Sequence, residues 1–535
     1  MSCIPILLFS FIFFIFGIFF YANYVESLFG MNNEEKTPAY TKYDGVDFVP
    51  AKNWIILFGH HFSSIAGAAP IVGPVIAVSI WGWGPTLLWI VLGAVFIGGL
   101  HDLSALCISI KKEGNSVGDI AKDVVSYKAK IIFSLFILST LILIVAVFTY
   151  LCAETFIADP HIVLPSVGLI PVAILSGLLI YRFQKSQTIA TVLALFLLLG
   201  LIIAGRSFPI RISNDINIWI FLLLVYAFFA SITPVHILLQ PRDYISSFLL
   251  FFGIGIGYIS LLLSHPSVYI PFHISNNNGQ TSIWPFLFIT VACGAVSGFH
   301  GLIASGTTSK QIAKQSHAKR IGYGAMIFES ALAVLAVLCV CSGLKNYETL
   351  KEVIDKGGPI LAFSKGFGNI SSAILGGYGA TIAVIILNAF ILTTLDTATR
   401  ICRYVFSELV GVENRFFSAS VVVILSGLIS FGGKWRLIWP TFGASNQLIA
   451  AFTLLIVTSW LLINGRSALV TFVASIFMLA TTICALLFQI ITYFKKAQFF
   501  LFFISLFLIV IAVFMFLETI ASLKRSCKKG YRIKL

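Results

Sequence analysis

Phe58-Gly59-His60-His61-Phe62-Ser63-Ser64-Ile65-Ala66-Gly67-Ala68-Ala69-Pro70-Ile71-Val72-Gly73-Pro74 stands inside an apolar run from residue 53 to 82. A straight helix needs about 20 apolar residues to cross a bilayer; this run is longer, and it carries two prolines among glycines and alanines. Each proline removes a backbone donor and frees a carbonyl one turn earlier, so the pattern predicts a helix interrupted within the membrane. Such backbone survives in lipid only where it is buried in protein or lines a cavity, and interrupted helices build the midplane sites of secondary carriers. Freed carbonyls suit a cation and the N-terminus of a half-helix suits an anion. Gly67, Pro70, Gly73 and Pro74 are therefore candidate substrate-binding residues, although a proline kink with glycines for close helix packing draws on the same residues.

The rest of the chain places this stretch in a membrane. Of its 535 residues 59% are apolar and 10% charged, with a mean hydropathy of +0.99, whereas soluble domains carry roughly 25% charged residues. Fifteen apolar runs follow one another from Cys3 to Leu523, and the loops between them are too short for a soluble domain. The expected architecture is an all-α polytopic membrane protein of about fifteen transmembrane helices. It divides into an N-terminal helix and loop (1–52), a transport core (53–400), and C-terminal helices with a basic tail (401–535). The run at Cys3–Tyr21 lacks a basic leader and a cleavage site and reads as a signal anchor. The formal charge of +14 sits in short loops, which points to membrane orientation rather than nucleic acid. With the C-terminus in the cytoplasm and the N-terminus outside, 25 of the 35 Lys and Arg fall on the cytoplasmic side, as the positive-inside rule demands. Val117–Lys130 is amphipathic and is expected to lie along that surface, towards lipid head groups or water. The nine cysteines show no CxxC pair and read as small buried apolar residues.

Two further interruptions are expected. Ser231-Ile232-Thr233-Pro234-Val235-His236 falls in the seventh run, which by this topology is antiparallel to the second and five helices away. That spacing matches the five-plus-five inverted repeat of the leucine-transporter fold, with runs two to six and seven to eleven as the repeats, and makes Thr233 a candidate. Cys293-Gly294-Ala295-Val296-Ser297-Gly298-Phe299-His300 loosens the ninth run and adds Ser297 and Gly298. The hydroxyls of Ser305, Thr307 and Thr308 that follow suit a small cation such as sodium, or the capping of their own helix end.

Ionisable groups inside a membrane are functional candidates by default. Those within the runs are His60, His61, His101, Asp102, His236, His300, Glu329 and Asp396. His60, His61, His101, Asp102 and His300 are the proton-coupling candidates, since a carboxylate beside imidazoles tunes proton exchange near neutral pH. Adjacent helical residues point about 100° apart, so His101 and Asp102 need not touch, and one of His60 and His61 is expected to face a cavity. Asp396 and Arg400 share a face and can bond to each other; Arg242 and Arg400 suit either a carboxylate substrate or anchoring at the cytoplasmic surface. No HxxxH or HExxH pair supports a metal site, and no Walker A loop, GxSxG or dinucleotide fingerprint supports an enzyme. No metal, cofactor or nucleic-acid partner is expected; the partners are a small solute, a coupling proton or sodium ion, and membrane lipids.

The residue 58–74 stretch resembles the most characteristic segment of the carbon starvation protein (CstA) family. His101-Asp102, Leu238-Leu239-Gln240-Pro241-Arg242-Asp243-Tyr244, Ser297–Thr308, Leu392–Arg400 and Trp439-Pro440-Thr441-Phe442-Gly443-Ala444-Ser445-Asn446-Gln447 agree with it. The resemblance implies an inner-membrane carrier for small nutrients, near the amino acid-polyamine-organocation superfamily, that takes up short peptides under carbon starvation or pyruvate with protons. A solute sensor without transport is the reading from another class. The chain departs from the family by being shorter than its long members and by His101, where members often carry glutamine, so its proton path is expected to differ.

Overall fold

The structure, a computed structural model, describes residues 2–184, 186–275, 282–431 and 435–528; Lys185 and the basic tail beyond Lys528 lie outside the described residues. These residues form helices and connecting segments. The first helix is α1 (Ile4–Ser27). The interrupted stretch follows as α2 (Trp54–Ile65) and α3 (Ala69–Trp81), then α4 (Trp83–Lys111), α5 (Tyr127–Ala158), α6 (Pro160–Arg182), α7 (Gln187–Ser207), α8 (Ile216–Ile232) and α9 (Leu239–Ser264). A second interrupted stretch gives α10 (Ile283–Thr290) and α11 (Gly298–Gly306). The chain continues with α12 (Gln315–Gly343), α13 (Tyr347–Ile370), α14 (Gly379–Val410), α15 (Arg415–Ser430), α16 (Trp435–Ile463), α17 (Leu469–Lys495) and α18 (Phe499–Lys528).

The protein is a multi-pass membrane protein. Among the described residues eleven helices are long and apolar enough to cross a membrane, twelve if α2 and α3 count as one bent span. The sequence pattern predicts fifteen. The difference lies at α8 and α15, which are shorter, and at residues 284–305, which form two short helices rather than one. α16 is the most enclosed, with 94% of its apolar window buried, against 28% for α1 and α7. The centre is therefore built around α16, α4 and α12, while α1, α7 and α18 turn large side chains such as Phe20, Phe196 and Phe503 outwards, towards lipid.

The first interruption follows from its residues. Asn53 caps α2 by accepting from the Ile56 amide at 3.0 Å. The helix stops at Ile65, and α3 restarts with Pro70 in its first turn, where a missing N–H costs nothing. The two segments are bent by 41°. Carbonyls left open at the end of α2 are met by hydroxyls of α14: Thr393 donates to Ser63 O at 2.8 Å and Thr394 to Ser64 O at 3.3 Å.

The expectation of a break inside the seventh run is corrected. Thr233, ahead of Pro234, takes the extended conformation that a following proline favours (φ −72°, ψ 140°) and ends α8, so the segment joins two helices instead of dividing one. The break that lies against the first is the one at residues 291–297. A Cβ on Gly73 would come within 2.6 Å of Thr290 O, and one on Gly294 would meet Pro70 Cβ at 3.5 Å. Gly294 has φ +87°, a region that favours glycine. Asn446 and Gln447 of α16 satisfy this second break. Asn446 Oδ1 accepts from the Phe299 amide at 2.8 Å, its Nδ2 donates to Ser297 Oγ at 3.1 Å, and Gln447 Nε2 donates to Val296 O at 3.0 Å.

The expected surface helix at 117–130 is a short helix, Val117–Val124, with Val117, Ile120, Ala121 and Val124 buried; Lys128 and Lys130 belong to α5, and Lys130 pairs with Asp119.

A buried donor left without its acceptor costs about 1–3 kcal/mol. Asn446→Ala is therefore expected to lower the thermal midpoint of the protein in lipid nanodiscs, and Asn446→Asp, which keeps the acceptor, to recover part of the loss. An unchanged midpoint for the alanine variant would remove Asn446 from this role.

Candidate functional site

Three groups hold most of the buried ionisable side chains among the described residues. The first joins α4, α11 and α12. His101 Nδ1 lies 2.7 Å from Asp102 Oδ1, so the two adjacent residues do touch. Asp102 Oδ2 lies 2.9 Å from His300 Nδ1, and His300 Nε2 lies 3.1 Å from Glu329 Oε2. All four side chains are fully buried. Gly301, one position after His300, lets α11 approach α4: a Cβ there would lie 2.9 Å from His101 Cε1.

The second group joins α2, α9 and α14. His60 Nδ1 is 2.7 Å from Asp243 Oδ2, and Ser63 donates to Asp243 O at 2.7 Å. Arg242 donates to Asp243 Oδ1 at 2.8 Å and pairs also with Asp396, which accepts from the Tyr226 hydroxyl. Ser64 reaches both Asp243 Oδ2 (3.3 Å) and Thr397 Oγ1 (3.0 Å). On the far side Gln311 Nε2 lies 3.3 Å from His60 Nε2. Arg242 is thus buried between two carboxylates, in the arrangement that keeps a buried guanidinium tolerable.

The third group lies at one end of α14. Arg400 bonds to Asp47 at 2.6 Å and to the carbonyls of Ala230 and Thr233, and Arg403 reaches Asp47 at 3.1 Å. Asp396 and Arg400 therefore have separate partners and do not bond to each other. Burial pushes the Asp47 carboxyl up, but the two guanidiniums outweigh it and hold the group well below the ordinary carboxylate value. Lys310, 3.7 Å over the Tyr404 ring, is pushed down by burial, against the pull of Glu408 and Asp47.

The sequence candidates are partly brought together. Gly67 and Ser297 lie in the two apposed breaks, Pro70 and Gly298 in the first turns of the helices that follow them, and Gly73 and Pro74 one turn into α3, where Gly73 approaches Thr290. Gly67 and Gly298 are places of close approach, to Thr394 and to the Asn446 carbonyl. Thr233 lies apart from them, at the end of α8 beside Arg400. His60 and His61 part company: His60 joins Asp243, while His61 Nδ1 lies 2.8 Å from Thr308 Oγ1. Ser305 and Thr307 donate to carbonyls of their own helix, at Gly301 (2.8 Å) and Ile303 (3.2 Å). Sequence reasoning did not single out Asp243, Tyr226, Thr393 or Asn446. They sit in quoted motifs or ordinary helices, and nothing local ties them to partners more than a hundred positions away. Glu329 was visible as a buried carboxylate but not as a neighbour of His300.

Comparison with known proteins adds a family and a fold. The family model described as carbon starvation protein CstA matches residues 2–354 and 343–485. The peptide transporter CstA of Campylobacter jejuni is 29% identical over 548 residues, covering 87% of this chain and 77% of that protein. The Helicobacter pylori peptide transporter CstA is 31% identical over 543 residues, covering 87% and 79%. The pyruvate/proton symporter BtsT of Escherichia coli is 30% identical over 572 residues, again 87% and 79%. Two solved structures share the fold. A manganese transporter of Eremococcus coleocola is 12% identical with a TM-score of 0.54, covering 90% of this chain and 99% of that one. MhsT in complex with L-phenylalanine is 14% identical with a TM-score of 0.53, covering 86% and 98%.

Removing one member of a buried ion pair costs about 3–5 kcal/mol. Arg242→Gln leaves Asp243 and Asp396 both without their guanidinium, whereas Asp396→Asn leaves Arg242 its Asp243 partner. Folded protein recovered from membranes is expected to fall much further for R242Q than for D396N. Equal recovery of the two would show that Arg242 does not hold both carboxylates.

Proposed function

This chain belongs to the carbon starvation protein CstA family, and on that premise we propose that it is a secondary carrier that takes up a short peptide or a pyruvate-like organic acid together with protons. The observation that carries the reading is the apposition of the two helix breaks, beside a buried chain of imidazoles and carboxylates. α3 and α11 each begin at a break, so two positive half-helix ends converge on one place. A carboxylate substrate suits that place, and the glycines and prolines there, Gly67, Pro70, Gly73, Pro74 and Gly298, shape it. His60, His61, His101, Asp102 and His300 are the proton-coupling groups in this reading. A sodium-coupled carrier would draw on Ser305, Thr307 and Thr308. Two of these three hydroxyls are already engaged by helix carbonyls and the third by His61, so the proton reading is the better supported. The reading contains no enzymatic step.

The same apposition supports an inverted repeat. We pair α2 and α3, α4, α5, α8 and α9 with α10 and α11, α12, α14, α15 and α16; α6 and α7 form an insert, α13 connects α12 to α14, α1 precedes the core, and α17 and α18 follow it. Equivalent contacts recur under this exchange: α4 packs on α11 as α12 packs on α3, and α9 packs on α2 as α16 packs on α10, with α5 against α14 between them. This pairing replaces the division into runs two to six and seven to eleven. With α1, the insert and both breaks counted as spans, it has fifteen crossings. The core then extends past residue 400 to Ile463, because Asn446 and Gln447 belong to the second break. The N-terminus is placed outside and the C-terminus in the cytoplasm of a bacterial inner membrane, with nutrient uptake serving carbon starvation.

Labelled pyruvate and labelled dialanine offered to proteoliposomes under an imposed pH gradient, and separately under a sodium gradient, decide the matter. Accumulation of either solute under the pH gradient alone is the expected outcome. Dependence on sodium would transfer the coupling to the hydroxyl cluster, and accumulation under neither gradient would overturn the carrier reading for these solutes.

A further inference from the structure

Glu329 is fully buried, and neither of its oxygens makes a hydrogen bond. Its Oε2 is 3.1 Å from His300 Nε2, an ion-pair distance. The other ring nitrogen of His300 faces Asp102 at 2.9 Å. An imidazole with a carboxylate at each nitrogen satisfies both only when it carries a hydrogen on each. The set extends through Asp102 to His101, whose Nε2 is buried and unpartnered. One helical turn beyond Glu329 on α12, Ala333 Cβ lies where a Cβ on Gly294 would come within 2.7 Å, and that Cβ would also touch Pro70. Glu329 therefore stands beside the point where the two breaks meet.

We propose that Glu329 is the terminal proton carrier of this protein, the end of a chain His101, Asp102, His300, Glu329 that delivers the coupling proton to the substrate's place between the breaks. The inference rests on the proton-coupled reading above. In the transfer step the His300 Nε2–H bond breaks and an O–H bond forms on Glu329 Oε2, while Nδ1–H stays with Asp102. The ion pair becomes a neutral pair, so charge is conserved within the cluster and a bare carboxylate is removed from the substrate's surroundings. The cluster resets when Glu329 releases that proton at the breaks and the His300 ring turns over, which brings its bare nitrogen to Asp102 to take up a proton passed on from His101. The other titratable groups that face the step are Cys293 at the break, with its Sγ and the ligand atoms of His300 and Glu329 all within 4.8 Å of one another, and His61 of α2, held by Thr308.

The test compares two modes of transport in proteoliposomes, using whichever of pyruvate or dialanine the wild type accumulates. Glu329→Gln is expected to lower pH-driven accumulation by about tenfold or more, the scale of losing a positioned proton-transfer group. Counterflow of the same solute, which needs no net proton movement, is expected to stay within about twofold of wild type, and Glu329→Asp to restore part of the accumulation. Undiminished accumulation by E329Q overturns the proposal, and so does an equal loss of counterflow, which marks a structural role. A stoichiometric metal in the purified wild type, lost from both C293A and E329Q, also overturns it in favour of a metal site. A wild type that accumulates neither solute under a pH gradient removes the premise itself, an outcome distinct from an E329Q variant that works.

Discussion

Two backbone interruptions in an apolar interior must find their hydrogen-bond partners within the protein, because lipid supplies none. That constraint organises the molecule. Residues 291–297 leave helical geometry, and α16 answers with Asn446 and Gln447, each bonded to two groups across the second break. Residues 66–68 do the same, and Thr393 and Thr394 of α14 take up the carbonyls exposed at the end of α2. α16 is enclosed because of this service.

The charges follow the same logic one step further out. Three buried guanidiniums lie against carboxylates: Arg242 between Asp243 and Asp396, Arg400 and Arg403 on Asp47. These pairs tie α9 and the segment ahead of α2 to α14, and α14 also holds the first break. The histidine group is of another kind. His101, Asp102, His300 and Glu329 are joined to one another, with His101 Nε2 and both Glu329 oxygens unspent.

How far the sequence could be read depends on the range of the interaction. Pro70 and Gly67 act on their own backbone, so the interruption between α2 and α3 is visible in seventeen residues. Pro234 acts locally too, but the same proline signal marks either a break within a span or the end of one; only the position of the next helix distinguishes them. His60 and His61 have the same neighbours in sequence and opposite partners in space, one on α9 and one beside the end of α11. The Asp396 and Arg400 spacing allows a pair that the structure does not make, because Arg242 and Asp47 reach those groups first.

By itself the sequence determined that the protein is helical and built into a membrane, that its second run is interrupted, and which buried residues can titrate. These depend on hydrophobic periodicity, on proline and glycine geometry, and on the cost of charge in an apolar medium, all of which act within a turn or two of one residue. The tertiary structure alone decided which break meets the first, which carboxylate each imidazole and guanidinium takes, and that Glu329 lies beside His300. Those outcomes depend on how helices far apart in the chain pack their faces, and residues separated by a hundred positions leave no periodic trace of the contact they will make.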